Sequence, residues 1–239
     1  MDYYKQALPI RKEVGDRAGV AKTLNNIGVT YDSIGQPQKA LDYYKQALPI
    51  SREVGDRAGV AKTLNNIGAV YGKIGQPQKA LAYYNQALPI SKEVGDRAGV
   101  AKTLNNIGAV YGKIGQPQKA LDYFNEALPI CREVGDRAQE ATTLNNIGAV
   151  YDSTGQPQNA LDYFNQALPI LKAVGDRAVE ATTLNNIGRV YNSIAQWQKA
   201  LDYFNPALPI FKAVGDRAQE ATTLNNGSNK YVVKFNYSN

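Results

Sequence analysis

The chain has 239 residues, of which 44% are hydrophobic and 20% charged, and its 27 Lys and Arg against 21 Asp and Glu give a net charge of +6. That composition is typical of a globular protein and excludes a disordered or fibrous chain. With no histidine and one cysteine, Cys131, the chain cannot form a histidine general base, a Cys/His zinc site or an internal disulfide. No apolar run approaches the roughly 20 residues of a membrane span, and the N-terminus lacks the order of a signal peptide. We therefore expect a cytoplasmic protein without a cofactor.

The sequence repeats itself every forty residues without a gap. Residues 41–80 and 81–120 differ at only three positions. The triplet Leu-Asn-Asn occurs six times at this spacing, beginning at Leu24, Leu64, Leu104, Leu144, Leu184 and Leu224. A fixed period of roughly 20 to 50 residues indicates a solenoid, in which every unit buries its apolar face against its neighbours. The length of the chain therefore counts repeats and not domains.

Each repeat divides into two helices, predicted in one of them over Arg97–Ile114 and Pro117–Val134. Gly115 can adopt the left-handed conformation that ends a helix, and proline suits the first turn of the next because its missing N–H is not needed there. Asp136 is predicted to cap the following helix, and Gln139 stands at the spacing of a capping box. Since connections of two residues join the helices, consecutive helices are expected to be antiparallel.

The repeats divide the chain into a single predicted solenoid over residues 1–239 with a half-unit at each end. Most repeats keep Gly-Gln-Pro between the two helices, but the last full repeat has Ala195 in place of the glycine, which predicts a lost helix stop there. The predicted segments are a second helix alone in 1–16, full repeats 17–56, 57–96, 97–136, 137–176 and 177–216, an incomplete first helix in 217–226 and a tail in 227–239.

Apolar and small residues follow helical spacing in both halves of the repeat. The first helix carries Leu104, Ile107, Gly108 and Tyr111, and the second carries Ala120, Phe124 and Ala127. The order Leu-x2-Ile-Gly-x2-Tyr followed by Ala-x3-Phe-x2-Ala resembles the signature of the tetratricopeptide (TPR) repeat, and it recurs in five complete units. A forty-residue period alone also allows HEAT or armadillo repeats, but this residue order decides against them.

The resemblance implies an all-α fold, a right-handed α-solenoid (superhelix) of antiparallel helix pairs that binds a protein or peptide in a concave groove lined by the first helices. The commonest TPR unit has 34 residues, and the forty-residue unit is similar to the longer variant of kinesin light chains and of Pins/LGN scaffolds. In that groove the resemblance places one asparagine per repeat: Asn25, Asn65, Asn105, Asn145 and Asn185. An amide can donate to and accept from an extended peptide backbone. The second asparagine of each pair, such as Asn106, is a further candidate for groove contact, and the alternative is that one asparagine per unit bonds the backbone of a neighbouring helix and only fixes the stacking.

Charge varies from repeat to repeat. Residues 57–96 hold five basic and two acidic residues, whereas residues 137–176 hold two basic and four acidic ones. This contrast predicts a basic half-groove that attracts acidic peptides. The alternative is a solvated face without a partner. The candidate basic contacts are Lys62, Lys73, Lys102 and Lys113, with Arg189 in a later repeat.

The sequence bears on three functions other than peptide binding. Nucleic-acid binding is disfavoured because tyrosines such as Tyr31 and Tyr71 lie on the buried stripe and the basic residues form no cluster. Catalysis is disfavoured because the carboxylates do not converge and no glycine-rich phosphate loop is present. Self-association is the main alternative. The helix predicted in 2–14 would expose Tyr3, Tyr4 and other apolar side chains, and segment 217–226 of another chain could dock on it.

Overall fold

The computed structural model describes residues 2–228, which form twelve α-helices and contain no strand. The helix ends lie within one or two residues of the predicted ones; α6, for example, ends at Lys113 and not at Ile114. The prediction for residues 229–239 lies outside the described residues. The helices are α1 Asp2–Glu13, α2 Arg17–Ser33, α3 Pro37–Glu53, α4 Arg57–Lys73, α5 Pro77–Glu93, α6 Arg97–Lys113, α7 Pro117–Val134, α8 Arg137–Ser153, α9 Pro157–Val174, α10 Arg177–Ser193, α11 Trp197–Val214 and α12 Arg217–Ser228.

The chain forms two compact units, Met1–Ile130 and Cys131–Asn239. In the first unit, buried residues of successive helix pairs such as Ile27, Tyr44 and Ile67 share one hydrophobic cluster. The second unit builds equivalent clusters around Phe164 and Phe211. Each unit is therefore a stack of antiparallel helix pairs, and the fold is an all-α, TPR-like solenoid. One continuous solenoid over the whole chain stays a prediction.

A glycine–aromatic contact sets the distance between the two helices of each pair. A Cβ atom added to Gly68 would lie 2.6 Å from Cε1 of Tyr84, so only glycine lets the ring lie against the first helix. Tyr84 is 3% exposed, and burial raises the pKa of its phenol. The other pairs with the same contact are Gly28 with Tyr44, Gly108 with Phe124, Gly148 with Phe164 and Gly188 with Phe204.

Most connections between the described helices have three residues and not the predicted two, and in the two-residue connection between α7 and α8 Asp136 helps both to end one helix and to begin the next. At the end of α7 the N–H groups of Gly135 and Asp136 donate to the carbonyl oxygens of Arg132 and Cys131, an arrangement that closes the helix. The Asp136 carboxylate then accepts from the N–H of Gln139 at 3.0 Å, which confirms the predicted cap. The second half of the capping box is not formed, because the Asp136 N–H is already bonded to Cys131.

The predicted loss of the helix stop at Ala195 is wrong. Helix α10 still ends at Ser193, and Ala195 adopts the left-handed conformation with φ of 59°. The N–H of Gln196 donates to the carbonyl of Tyr191 at 2.9 Å, as its counterpart does after the glycines. The hydrogen bonds of the turn therefore hold an alanine in a conformation that its Cβ disfavours.

Replacing Ala195 with glycine is expected to raise the free energy of unfolding by about 1 kcal/mol, because glycine adopts this conformation without strain. Urea denaturation followed by circular dichroism measures the change. The reverse substitution Gly155→Ala, at φ of 72° with no atom within 4 Å of the added Cβ, is expected to destabilise by about the same amount. A lower free energy of unfolding in Ala195→Gly would show that the left-handed conformation of Ala195 is not strained.

Two alanine substitutions one turn apart in α4 test the glycine–aromatic contact. Gly68→Ala is expected to lower the free energy of unfolding by about 1 to 3 kcal/mol, because the new methyl displaces the Tyr84 ring. Gly72→Ala adds a Cβ whose nearest neighbours lie at 3.9 Å, so the gain in helix propensity is expected to raise stability by about 0.5 to 1 kcal/mol. Equal losses in the two variants, measured by urea denaturation, would show that the ring contact is not limiting.

Candidate functional site

In the first unit, the first helices of the repeats leave one polar face uncovered. Leu64, Ile67 and Tyr71 of α4 are buried, whereas Lys62 and Lys73 are exposed and Asn66 is half-buried. Helix α6 has the same sequence as α4 and presents the same residue types forty positions later. The uncovered side, the first-helix face, consists of the side chains of Lys62, Asn66, Lys73, Lys102, Asn106 and Lys113.

The predicted groove asparagines join consecutive repeats. Oδ1 of Asn25 accepts from the Thr63 hydroxyl at 3.3 Å and from Nδ2 of Asn66 at 3.2 Å. In the second unit, Asn145 accepts in the same way from Thr183 at 2.9 Å and from Asn186 at 3.4 Å. These bonds join consecutive repeats as the stacking alternative predicts, but the partners are side chains and not the backbone of the neighbouring helix. Only 3–7% of the surface of each of these asparagines is exposed to solvent. Direct ligand contact stays a prediction for Asn25, Asn65, Asn105, Asn145 and Asn185.

The second asparagine of the triplet is the more accessible one. Asn66 and Asn106 are half-buried, and the Nδ2 group of each donates to the buried asparagine of the preceding repeat, Asn25 or Asn65, at 3.2 Å. That bond fixes the orientation of the amide, and the carbonyl oxygen and second N–H remain to be satisfied elsewhere. The inter-repeat bond therefore positions these two side chains on the first-helix face.

The four predicted lysines differ in their surroundings. All are exposed, and Lys62 and Lys102 occupy equivalent positions in helices of identical sequence. Lys73 forms an ion pair, with its Nζ 2.7 Å from Oδ2 of Asp32 in α2. The sequence-based prediction missed this partner, although an acidic residue forty-one positions before a lysine was the available signal.

In the second unit the predicted basic residue is also paired. Nη2 of Arg189 lies 3.1 Å from Oδ2 of Asp152, whose side chain is 16% exposed. Burial raises the pKa of Asp152, and the guanidinium of Arg189 opposes that shift. Arg189 thus has a carboxylate partner within the chain before any ligand binds.

Two buried glutamates were not predicted. Glu140 and Glu180 are each 3% exposed and stand where earlier repeats have valine, such as Val100. Nε of Arg132 lies 2.9 Å from Oε1 of Glu140, and Nη1 of Arg177 lies 2.6 Å from Oε2 of Glu180. A valine-to-glutamate exchange at one repeat position was the signal that could have found them. Both carboxylates are neutralised by arginine and act in packing.

The tyrosines form stacked pairs. The rings of Tyr71 and Tyr83 lie 5.5 Å apart at 12°, and Nζ of Lys79 lies 5.4 Å from the centre of Tyr71. The same stack recurs in all five repeats. Tyr31 and Tyr71 are buried as expected, whereas Tyr111 is only half-buried. Their rings already contact aromatic or lysine neighbours, which agrees with a packing role.

Within residues 2–228, no three Cys, Asp or Glu side chains come together in a way that could hold a metal ion. None of the helices in that range is both long and apolar enough to cross a bilayer. A cleft of about 570 Å³ lies against α9, α10 and α11, lined by Leu168, Pro206 and Ile210 among others. The buried carboxylate on its wall, Glu180, is held by Arg177.

The family model described as "Tetratricopeptide repeat" matches residues 2–53, 47–93, 59–133 and 99–173, and these matches together cover most of the chain. The chain belongs to the tetratricopeptide repeat family. This confirms the resemblance drawn from the Leu-Asn-Asn-Ile-Gly motif and from the alanine and aromatic positions of the second helix.

Solved structures of other proteins share this fold. BtubC (BKLC) from P. vanneervenii matches with a TM-score of 0.75 and 23% identity, over 90% of each chain. The Rap conjugation gene regulator of the plasmid pLS20, in complex with the Phr* peptide, matches with a TM-score of 0.76 and 19% identity, over 89% of this chain and 59% of that one. A Podosopora anserina putative kinesin light chain with nearly identical TPR-like repeats matches with a TM-score of 0.61 and 17% identity, over 82% of this chain and 96% of that one.

No curated protein matches the TPR chain in sequence. At these identities the solved structures establish the fold. Two of the matched structures are longer than this chain: it spans 59% of the pLS20 regulator and 34% of a STAND protein with a TPR sensor from Pyrococcus horikoshii.

The two terminal helices expose residues whose equivalents in the full repeats are buried or half-buried. Tyr3 of α1 is 86% exposed and Ile10 59%, and Leu224 of α12 is 50% exposed although its counterparts are buried. Position 228, however, is serine where every full repeat has the glycine that contacts an aromatic ring. Docking of α1 from another copy onto α12 in the repeat geometry would bring Tyr4 against the Cβ of Ser228. The terminal helices are therefore not fully complementary.

Replacing Asn25 with alanine is expected to lower the free energy of unfolding by about 1 to 2 kcal/mol, because Thr63 and Asn66 lose a buried acceptor. Urea denaturation measures the loss. Asn225→Ala is the matched control, since Asn225 is the exposed equivalent in α12, and its change is expected within about 0.5 kcal/mol. Similar effects of the two substitutions would argue against a stabilising role for the inter-repeat bond.

Proposed function

We propose that the TPR chain is a protein-interaction scaffold whose first-helix face binds an extended, acidic segment of a partner protein. The observation that carries the proposal is the exposure of Lys62 and Lys102 at equivalent positions of two helices with the same sequence. Because the repeats stack, side chains forty residues apart recur along one face. A ligand that extends along this face would meet the same polar groups at each repeat.

The asparagines Asn66 and Asn106 supply the contacts to the peptide backbone. The inter-repeat bond fixes one N–H of each amide, so the side chains are oriented before a ligand arrives. Preorganised groups lose less conformational entropy on binding. An amide offers both a donor and an acceptor and can bond a main chain without selecting particular side chains.

Charge supplies the preference for acidic ligands. In residues 57–96 five basic and two acidic residues give a net charge of +3. In the described part of the chain, Lys62, Lys102 and Lys113 form no ion pair. An excess of one sign on a face raises the association rate of oppositely charged segments and lowers it for like-charged ones. The strength of the interaction is expected to fall with added salt.

The comparison with the pLS20 regulator supports peptide binding by this fold. That protein is solved in complex with the Phr* peptide, and its similarity to this chain extends over 89% of the chain. The exposed Lys62 and Lys102 favour an acidic ligand here. Self-association through α1 and α12 is the second candidate, supported by the exposed Tyr3 and Leu224, but Ser228 weakens it.

The double variant Lys62→Glu/Lys102→Glu is expected to lose binding of acidic peptides, because two attractive charges become repulsive. The charge-matched control is Lys5→Glu/Lys45→Glu, which changes two exposed lysines of the second helices α1 and α3. Fluorescence anisotropy with a labelled peptide of alternating Glu and Ser measures affinity, and about a tenfold difference between the two double variants is expected.

Equal losses of peptide affinity in both double variants would show that only the net charge of the protein matters. That result would overturn the assignment of the first-helix face as the binding surface. Light scattering across a dilution series separates the second candidate. A monomer at all concentrations contradicts self-association, whereas a concentration-dependent mass that disappears in Tyr3→Ser/Ile10→Ser would support it.

A further inference from the structure

One position on the first helices is filled by an ion pair in some repeats and by glycine in others. In α2 it is Asp32, which is bonded to Lys73 of α4. In α8 it is Asp152, which is bonded to Arg189 of α10. In both cases a carboxylate at this position meets a cation from the first helix of the next repeat. In α4 the equivalent residue is Gly72.

The lysine that would pair with a carboxylate at position 72 is nevertheless present. Lys113 occupies in α6 the position that Lys73 occupies in α4, and the two helices are identical in sequence. Lys113 is exposed, and within residues 2–228 it has no carboxylate partner. One repeat later, Lys113 thus takes the position of Lys73, but Gly72 stands in the position of Asp32 and supplies no carboxylate.

The space left by the missing carboxylate is open. A Cβ added to Gly72 would have only Ala80 Cβ and Val110 Cγ2 within van der Waals distance, both at 3.9 Å. In the equivalent place Asp32 is only 19% exposed, so a carboxylate held there is partly shielded from water. A partly shielded ion pair is stronger than one in full contact with solvent.

We propose that Lys113 and the space beside Gly72 form a subsite for one carboxylate side chain of the bound segment, an Asp or Glu that takes the place that Asp32 takes beside Lys73. This inference rests on the proposed function, because the ligand is the acidic segment on the first-helix face. The subsite would fix the position of the bound segment along the first-helix face, because one of its acidic residues would pair with Lys113.

A single substitution in α4 tests the subsite. Gly72→Asp would supply the carboxylate from within the chain and block the subsite, and the Cβ fits without a clash. The labelled peptide of alternating Glu and Ser is expected to bind this variant about three- to tenfold more weakly than the unmodified chain. Gly72→Asn fills the same space without charge and leaves Lys113 available, so its affinity is expected to lie closer to that of the unmodified chain.

Net charge is controlled in the neighbouring repeat. Gly112→Asp makes the same charge change at the equivalent position of α6, but the residue forty-one positions further on is Ser153 and not lysine. Its effect is expected to be smaller than that of Gly72→Asp. Conversely, Asp32→Gly frees Lys73 and is expected to tighten binding of the peptide about threefold.

The premise can be checked without a ligand. The amine of Lys113 is expected to react faster with acetic anhydride than the paired amine of Lys73, and Gly72→Asp is expected to slow it. Site-resolved mass spectrometry gives both rates. Equal reactivity of Lys113 in the unmodified chain and in Gly72→Asp would overturn the subsite, because the new carboxylate would not have reached the lysine.

The outcomes separate the subsite from the proposed function. If the unmodified chain binds the Glu peptide no better than a counterpart with Gln in place of Glu, the proposed function fails and the subsite fails with it. If the Glu peptide is preferred but Gly72→Asp weakens it no more than Gly112→Asp, the subsite alone is overturned. A larger loss in Gly72→Asp than in Gly112→Asp and Gly72→Asn supports the subsite.

Discussion

The close approach of the two helices in each pair depends on a glycine that faces an aromatic ring. At Gly68 and its equivalents an added Cβ would lie 2.5 to 2.7 Å from ring atoms of the partner helix. This contact fixes how deeply Tyr84 or Phe124 enters its pair, and thereby which residues of the first helix remain on the opposite, polar side. The face available to a ligand is therefore a consequence of packing on the other side of the same helix.

A polar interaction adds order between the pairs. Hydrophobic contacts are non-directional and allow neighbouring helices to slide, whereas the bond from Thr63 and Asn66 to Asn25 has a defined geometry. Because these groups are buried, displacement by one residue would leave donors without acceptors. The same asparagines thus set the register of the stack and orient the amides on the first-helix face, so that stability and the proposed recognition share residues.

The periodicity of the sequence was sufficient to predict the helices, the turns and the stacking pattern, because each depends on residues close in sequence or on an exact forty-residue spacing. It was not sufficient to assign the polar side chains. Asn25 suits both a groove and a buried bond, and the bond depends on where the fold places Thr63 and Asn66 of the next repeat. The pair of Lys73 with Asp32 depends on which side chains of two helices meet, and the strain at Ala195 depends on hydrogen bonds that outweigh local preference.

The turn at Gly135 and Asp136 also bears on how such a chain can change during evolution. The N–H of Asp136 donates to the carbonyl oxygen of Cys131 at the end of one helix, and its carboxylate caps the next, so both residues of the connection have a structural role. An insertion of one residue there would separate the two roles and rotate every following helix relative to the preceding one. Duplication or deletion of a complete forty-residue unit leaves each turn intact. The near identity of residues 41–80 and 81–120 is what growth by such whole-unit duplication produces.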